Sequence, residues 1–142
     1  MENLSSQFKG TITELQVATR LLELNYVVSM PLVQDSKYDL IVDVNNKLIR
    51  LQVKKARLNA KNPNGDCITF NCRSTTNNVR ECKQKYYSSD EVDYFATYWN
   101  QEVFLIPINE CSSEKTIWLK KPNNNSCTYA YDYLAQEVLN NL

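Results

Sequence analysis

Histidine is absent from this chain of 142 residues. Its absence excludes Ser-His and Cys-His nucleophilic catalysis, nucleases of the HNH type and the ordinary His-ligated zinc hydrolases. The five cysteines are an odd number without a CxxC pair. This pattern argues against a disulfide framework or a zinc knuckle and favours free thiols. Any catalysis must therefore rest on carboxylates, amides, lysines and hard metal ions.

Long apolar runs are also missing, since none approaches the ~18 residues that span a membrane. The first nine residues have neither the basic start nor the apolar core of a secretory signal. We therefore expect a cytoplasmic protein without a membrane partner. A chain of this length is typical of one domain, so residues 1–142 are expected to fold as a single unit.

The formal net charge is zero, but the charges are unevenly distributed along the chain. Residues 47–85 carry 10 basic and 2 acidic side chains (net +8), whereas residues 1–46 and 86–142 have net charges of −3 and −5. A basic block of this size is typical of a surface that faces a polyanion. The equally weighted alternative is a solvated face whose charge is balanced by neighbours in space.

Only two glycines occur, so the abundant asparagines are expected at turns and left-handed positions. Apolar periodicity predicts a helix over residues 5–25 and two strands, 38–44 and 47–56, with a two-residue turn between them. The rest of the chain is expected to contain a strand over 67–73, a partly helical segment over 74–89, strands over 92–98 and 102–108, and a terminal helix over 128–139 capped by 123–126. This order predicts an α/β domain with one mixed sheet flanked by helices.

The first predicted helix contains one carboxylate in an unexpected place. Glu14 falls within the apolar arc of the helical wheel, while the other charged residues lie opposite. A carboxylate aimed at the core costs several kcal/mol unless a partner or a metal compensates it. The alternative is a glutamate that bends out at the edge of the arc or pairs with a buried base. The arc itself consists of Phe8, Ile12, Leu15, Val17, Ala18, Leu21, Leu22 and Leu24.

The predicted hairpin brings a second group of polar residues together. A turn at 45–46 places Asp39 opposite Gln52, and alternation puts Lys54 on the same face. Asp39 and the Gln52 amide oxygen could share a divalent cation, with Lys54 neutralising charge on a bound phosphate. The alternative for Gln52 and Lys54 is a solvated strand face. Five aliphatic residues share the other, buried face: Leu40, Val42, Ile49, Leu51 and Val53.

These segments resemble the PD-(D/E)XK nucleases, and among them the group I intron homing endonucleases of cyanobacterial type. The resemblance rests on the helix GTITELQVATRLLELNY, the hairpin YDLIVDVNNKLIRLQVKKA, the later pair VDYFATYW and VFLIPI, and the terminal YAYDYL. Tyr38 stands where the family name has proline, a position that varies. Gln52 replaces the commoner acidic residue, and the homing endonucleases it resembles are similar in carrying QxK.

The resemblance implies a restriction-endonuclease-like core, a central mixed sheet flanked by helices, and hydrolysis of phosphodiester bonds in both strands of double-stranded DNA. It implies Glu14, Asp39, Gln52 and Lys54 as catalytic residues. The metal would be Mg²⁺, which Mn²⁺ could replace, held by Glu14, Asp39, Gln52 and Val53; no small-molecule cofactor is expected. Cutting both strands requires two active sites, so a homodimer or homotetramer is expected.

Candidate DNA contacts come from the basic block and from a later polar loop. Two other functions remain open at this point: a Holliday-junction resolvase or repair nuclease of the same superfamily, and a DNA-binding module whose active site has decayed. The candidate contact residues are Lys55, Arg57, Lys61, Arg73, Arg80, Lys83, Lys85, Lys120, Lys121 and Asn123.

Overall fold

The computed structural model describes residues 3–77 and 82–142, with side chains for all of these except 75–77 and 82–85. The helices are α1 (Ser6–Glu23) and α2 (Ala135–Asn140), and short 3₁₀ turns span Ile108–Glu110 and Ala130–Tyr133. The strands are β1 (Val27–Ser29), β2 (Leu40–Val44), β3 (Lys47–Val53), β4 (Arg57–Leu58), β5 (Cys67–Asn71), β6 (Arg73–Asn77), β7 (Cys82–Tyr86), β8 (Tyr94–Trp99), β9 (Glu102–Pro107), β10 (Glu114–Trp118) and β11 (Thr128–Tyr129).

Helix α1 confirms the predicted N-terminal helix. The Ser5 side chain accepts a hydrogen bond from the backbone N–H of Phe8, which satisfies one of the free donors of the first turn. The helix ends at Leu24, after which Asn25 takes a positive φ of 70°. One face of α1 is buried, through Thr13, Val17, Ala18 and Leu21.

The predicted apolar arc of α1 is wrong over about half its width. Phe8, Leu15 and Leu22 are exposed by 64%, 52% and 58% of their surface. The helix lies on one side of the sheet, which can cover only one face of it. Arg20, predicted to lie on the solvent face, is half-buried and pairs with Glu102 on β9 at 3.1 Å.

The central sheet has five strands in the order β1-β2-β3-β8-β9. Strands β3 and β8 are parallel and the other neighbours are antiparallel, which confirms a mixed sheet. The β2–β3 hairpin has the predicted register, with Leu40 opposite Leu51. Its turn residues Asn45 and Asn46 have φ values of 50° and 68°, as expected for a two-residue turn with left-handed residues.

The expectation of a single sheet is wrong. A second sheet has the order β11-β10-β5-β4, and β6 and β7 form a separate two-stranded hairpin. The strands β8 and β9 are buried on both faces: Ala96 and Leu105 pack in the core under α1, whereas Phe95 and Ile106 pack in a second core beside the four-stranded sheet. Burial on both faces explains why these strands are continuous apolar runs without alternation.

Of two further predicted helical segments, one is wrong and the other is only partly correct. In the segment 74–89, residues up to 77 and from 82 to 86 form the β6–β7 hairpin, whose polar residues lack the apolar alternation that marks a strand. The predicted terminal helix over 128–139 is helical only from Ala135. It is preceded by β11, which pairs with β10, and by the 3₁₀ turn that carries the fully buried Ala130. Its N-cap is Leu134, not residues 123–126.

No helix among the described residues is both long enough and apolar enough to cross a membrane.

Candidate active site

Asp39 lies immediately before β2 and connects the two strands of the hairpin. Its backbone N–H donates to the Leu51 carbonyl at 2.8 Å, and its Oδ2 accepts from the backbone N–H of Val53 at 2.8 Å. The carboxylate is therefore held in place by the end of β3. This position follows from the register of the hairpin, in which Leu40 and Leu51 are the last paired residues.

Glu14 extends from α1 to the carboxylate of Asp39. Burial, the charge of Asp39 and a hydrogen bond between the two side chains raise the pKa of Glu14 to about 7. Burial also raises the pKa of Asp39, while the Val53 N–H, Lys54 and Glu14 act in the opposite direction. Without a metal, Glu14 is therefore partly protonated at neutral pH. The partner of Glu14 is a second acid, not the base that the alternative interpretation supposed.

Lys54 directly follows the last residue of β3, and its ammonium group has defined partners. Its Nζ donates to the Arg73 carbonyl at 3.2 Å and to the Tyr87 hydroxyl at 3.4 Å, and it lies 5.1 Å from the centre of the Tyr87 ring. Burial lowers the pKa of Lys54, while the charge of Asp39 raises it. The side chains of Asp39 and Lys54 are half-buried, so Lys54 does not lie on a fully solvated strand face.

Two residues that form hydrogen bonds with Lys54, Thr97 and Tyr87, could not be recognised from the sequence motif. The buried Thr97 donates from its hydroxyl to the Lys54 carbonyl at 2.8 Å, and the Lys54 N–H donates to the Ala96 carbonyl at 2.9 Å. Tyr87 lies just beyond β7, in the segment that the sequence predicted to be partly helical. Thr97 on β8 and Tyr87 just after β7 are both remote from Lys54 in sequence, so only the tertiary structure brings them to it.

Gln52 is half-buried on β3, opposite Phe95 of β8. The alternation of β3 places its side chain on the same face as Lys54. Val53 between them has a buried side chain, and its N–H is bound to Asp39. Val53 could therefore contribute only its backbone carbonyl to a metal.

An open cleft of about 520 Å³ lies beside the carboxylate pair. Of the four predicted catalytic residues, Glu14 and Asp39 line this cleft, whereas Gln52 and Lys54 do not. The other walls are the exposed side of α1 around Thr11 and the loop of residues 30–34. Solvent, ions and a phosphate group can therefore reach both carboxylates from this side.

The donor atoms fit a hard divalent cation. Two carboxylates and an amide oxygen are ligands that Mg²⁺ accepts alongside water and phosphate oxygens. Among the described residues, no group of three or more His, Cys, Asp or Glu side chains is placed to hold a metal. Burial and the charge of Asp39 raise the pKa of Glu14, and a divalent cation would offset both effects.

The candidate DNA contacts divide into three groups. Lys55 and Lys61 are exposed, as are Lys120, Lys121 and Asn123. Arg57 is exposed but forms an ion pair with Glu114 at 2.8 Å. Arg73 is half-buried, and its backbone carbonyl accepts a hydrogen bond from Lys54. Arg80 lies outside the described residues, as do the side chains of Lys83 and Lys85.

One residue of the basic block has a structural role instead. Arg50 donates from its backbone and guanidinium to the Asp93 carboxylate, at 2.8 to 3.2 Å, and also donates to the carbonyls of Ser89 and Asp90. This network ties β3 to the segment before β8. The charge of Arg50 is therefore balanced by a neighbour in space, as the alternative interpretation of the basic block supposed.

The sequence profile of the PD-(D/E)XK endonucleases matches residues 4–135. The chain belongs to this family and is an endonuclease, a hydrolase of phosphodiester bonds that acts on DNA. Its fold is similar to that of the bacterial homing endonuclease I-Ssp6803I, with a TM-score of 0.77 and 20% sequence identity over 97% of this chain and 95% of that one. This similarity confirms the predicted restriction-endonuclease-like fold. No curated protein matches the sequence.

The Glu14–Asp39 pair makes a prediction about stability without metal. Because the pKa of Glu14 rises from 4.5 to about 7 on folding, the folded chain binds more protons than the unfolded chain between these values. Stability in EDTA should therefore decrease as the pH rises from about 4.5 through about 7. Glu14→Gln should reduce this loss, measured as the difference in Tm between pH 5 and pH 8.

Glu23→Gln is the matched control, since Glu23 is an exposed glutamate on the same helix. It should keep the pH dependence of the wild-type chain. A Glu14→Gln variant whose Tm decreases between pH 5 and pH 8 as much as the wild type would contradict the raised pKa of Glu14.

Proposed function

We propose that this endonuclease is a site-specific, Mg²⁺-dependent enzyme of the homing type that cuts both strands of DNA. Glu14, Asp39, Gln52 and Lys54 are its proposed catalytic residues. The observation that carries the proposal is the half-buried pair of carboxylates beside a half-buried lysine, at the edge of an open cleft. The homing specificity is supported by the similarity in fold to I-Ssp6803I over nearly the whole chain.

Glu14, Asp39, the Gln52 amide oxygen and the Val53 carbonyl are the groups proposed to hold the ion. Nucleases of this family generally use divalent metals, and Mg²⁺ suits oxygen donors, with Mn²⁺ as a possible substitute. When bound, the ion would supply an activated water and stabilise charge on the scissile phosphate.

The protein itself orients the charged groups. The Val53 N–H fixes Asp39, so this carboxylate does not have to be ordered when an ion or phosphate arrives. Lys54 is held between the Arg73 carbonyl and Tyr87, which fills two hydrogen-bonding directions of its ammonium and leaves the third for a water or phosphate oxygen. Its charge can then oppose the negative charge that develops during cleavage.

The exposed basic residues support contact with the DNA backbone. Lys55 follows the catalytic lysine directly, and Lys61 lies in the loop after β4. Such lysines position the duplex through its phosphates, while amides such as that of Asn123 can contact base edges. The other residues proposed to contact DNA are Arg57, Arg73, Arg80, Lys83, Lys85, Lys120 and Lys121.

One chain supplies one carboxylate pair, whereas cutting both strands requires two. We therefore propose that the active enzyme is a homodimer or a homotetramer, with its symmetry matched to that of the target.

Removing either charged partner should abolish cleavage. Asp39→Asn and Lys54→Met should lower the rate at least ~1,000-fold, since each deletes a charge aimed at the reacting phosphate. Cleavage of host genomic DNA with Mg²⁺, followed by mapping of the ends, measures the rate and the site together. Lys47→Met is the control, because Lys47 is an exposed lysine at the hairpin turn.

Wild-type cutting by either variant would refute the proposed site. Cutting of four-way junctions without sequence preference would instead indicate a resolvase, and binding of DNA without any cleavage would indicate a decayed module.

Gln52 sets the charge of the proposed metal site. Gln52→Glu adds a third carboxylate, and after solvent screening we expect a gain of about 1 kcal/mol, or several-fold in Mg²⁺ affinity. Cutting should be equal or slower, because the new carboxylate can draw the ammonium of Lys54 towards itself. Gln52→Leu keeps the volume but removes the oxygen, and should require far more Mg²⁺. An unchanged Mg²⁺ dependence in the Leu variant would show that Gln52 is not a ligand.

A further inference from the structure

Helix α1 has a second apolar face that nothing in the described chain covers. Phe8, Leu15 and Leu22, called here the α1 stripe, recur at every seventh position and are exposed by 64%, 52% and 58%. At about 100° per residue they lie on one side of the helix, well separated from the buried face of Val17 and Leu21. Apolar residues aligned along an exposed helix are typical of a surface that packs against another helix.

We propose that the α1 stripe is the interface with a second copy of this chain, packed as an antiparallel helix pair about a twofold axis at Leu15. Phe8 and Leu22 are equally spaced on either side of Leu15. An antiparallel copy therefore places Leu15 against Leu15 and Phe8 against Leu22 of the other chain. The surface is thus complementary to itself, as a twofold interface requires.

The charges beside the stripe favour the same arrangement. Lys9 and Glu23 lie on one flank of α1, two turns to either side of its centre, and neither takes part in an ion pair between described residues. Flanks of the same kind meet when two identical helices pack antiparallel. Lys9 of each copy then lies near Glu23 of the other, whereas a parallel pair would place these two flanks on opposite sides of the interface.

The position of Glu14 gives the interface a functional consequence. Glu14 precedes Leu15, so both copies of Glu14 lie beside the twofold axis and on the same side of the interface. Both clefts then open towards one duplex, as cutting of both strands requires. In this respect the inference rests on the proposed function and specifies its oligomer.

The expected dimer is weak. A helix of 18 residues is about 27 Å long, and a pair of such helices buries less than the ~800 Å² per partner of a standard interface. We therefore expect a concentration-dependent equilibrium between monomer and dimer when DNA is absent.

Analytical ultracentrifugation of the full chain, without DNA or metal, tests the interface separately from cleavage. The wild-type chain should change from 16.5 kDa to twice that mass as its concentration increases. Leu15→Glu places two carboxylates against each other on the axis and should weaken association at least ~100-fold. Leu48→Glu is the control, because Leu48 is 64% exposed on the hairpin and should leave the dimer unchanged.

Two further variants determine the orientation. Leu15→Cys should form a disulfide-linked dimer on mild oxidation, because its two copies meet on the axis. Phe8→Cys should form one only when it is mixed with Leu22→Cys. Lys9→Glu should weaken the dimer about threefold to tenfold, and adding Glu23→Lys should restore it.

A wild-type chain that stays monomeric up to about 100 µM would overturn the proposal, as would a Leu15→Glu variant that associates like the wild type while keeping its helical circular dichroism and Tm. If the wild-type chain is a tetramer, Leu15→Glu should halve its mass, and an unchanged mass would contradict the interface. None of these outcomes alters the evidence for the nuclease site, which the cleavage variants test.

Discussion

The register between β2 and β3 determines both the core and the candidate active site. A shift of one residue would turn the aliphatic side chains of one of the two strands away from the core. It would also separate Asp39 from the N–H of Val53, the bond that holds the carboxylate beside Lys54. The left-handed turn at Asn45 and Asn46 fixes that register locally, and the pairing of β3 with β8 supports it from the other side. Folding the hairpin correctly therefore assembles half of the site.

The rest of the site consists of charged groups whose burial is unfavourable. The chain places two carboxylates and an ammonium group in half-buried positions, where each charge loses hydration. Glu14 responds by keeping a proton, and Lys54 responds by a lowered pKa that Asp39 partly offsets. Such a site stabilises the fold less than an apolar cluster would. It is, however, ready for a cation that would replace the proton of Glu14 and for a phosphate that would meet Lys54.

Local sequence patterns are sufficient to predict a feature when a residue differs in character from its neighbours or when the alternation is regular. Glu14 was recognisable because a charged residue fell within an apolar arc, and the hairpin was recognisable by its alternation and its Asn-Asn turn. The β6–β7 hairpin was missed because it has no apolar alternation. The width of the apolar arc on α1 was misjudged because periodicity does not distinguish a face that meets the sheet from one left exposed. Tyr87 and Thr97 reach Lys54 only through pairing between distant strands, which no local pattern contains.

Glu14 and Asp39 are the carboxylates proposed to bind the divalent cation, and Glu14 has a raised pKa when no ion is bound. Calorimetric titration with Mg²⁺ at pH 6.5, in buffers that differ in ionisation enthalpy, tests this assignment most directly. With a pKa of about 7 for Glu14, binding should release about 0.8 proton per chain at this pH and little at pH 8.5. Glu14→Gln should abolish the release at pH 6.5. Equal heats in all buffers for the wild-type chain, together with saturable Mg²⁺ binding, would contradict the account.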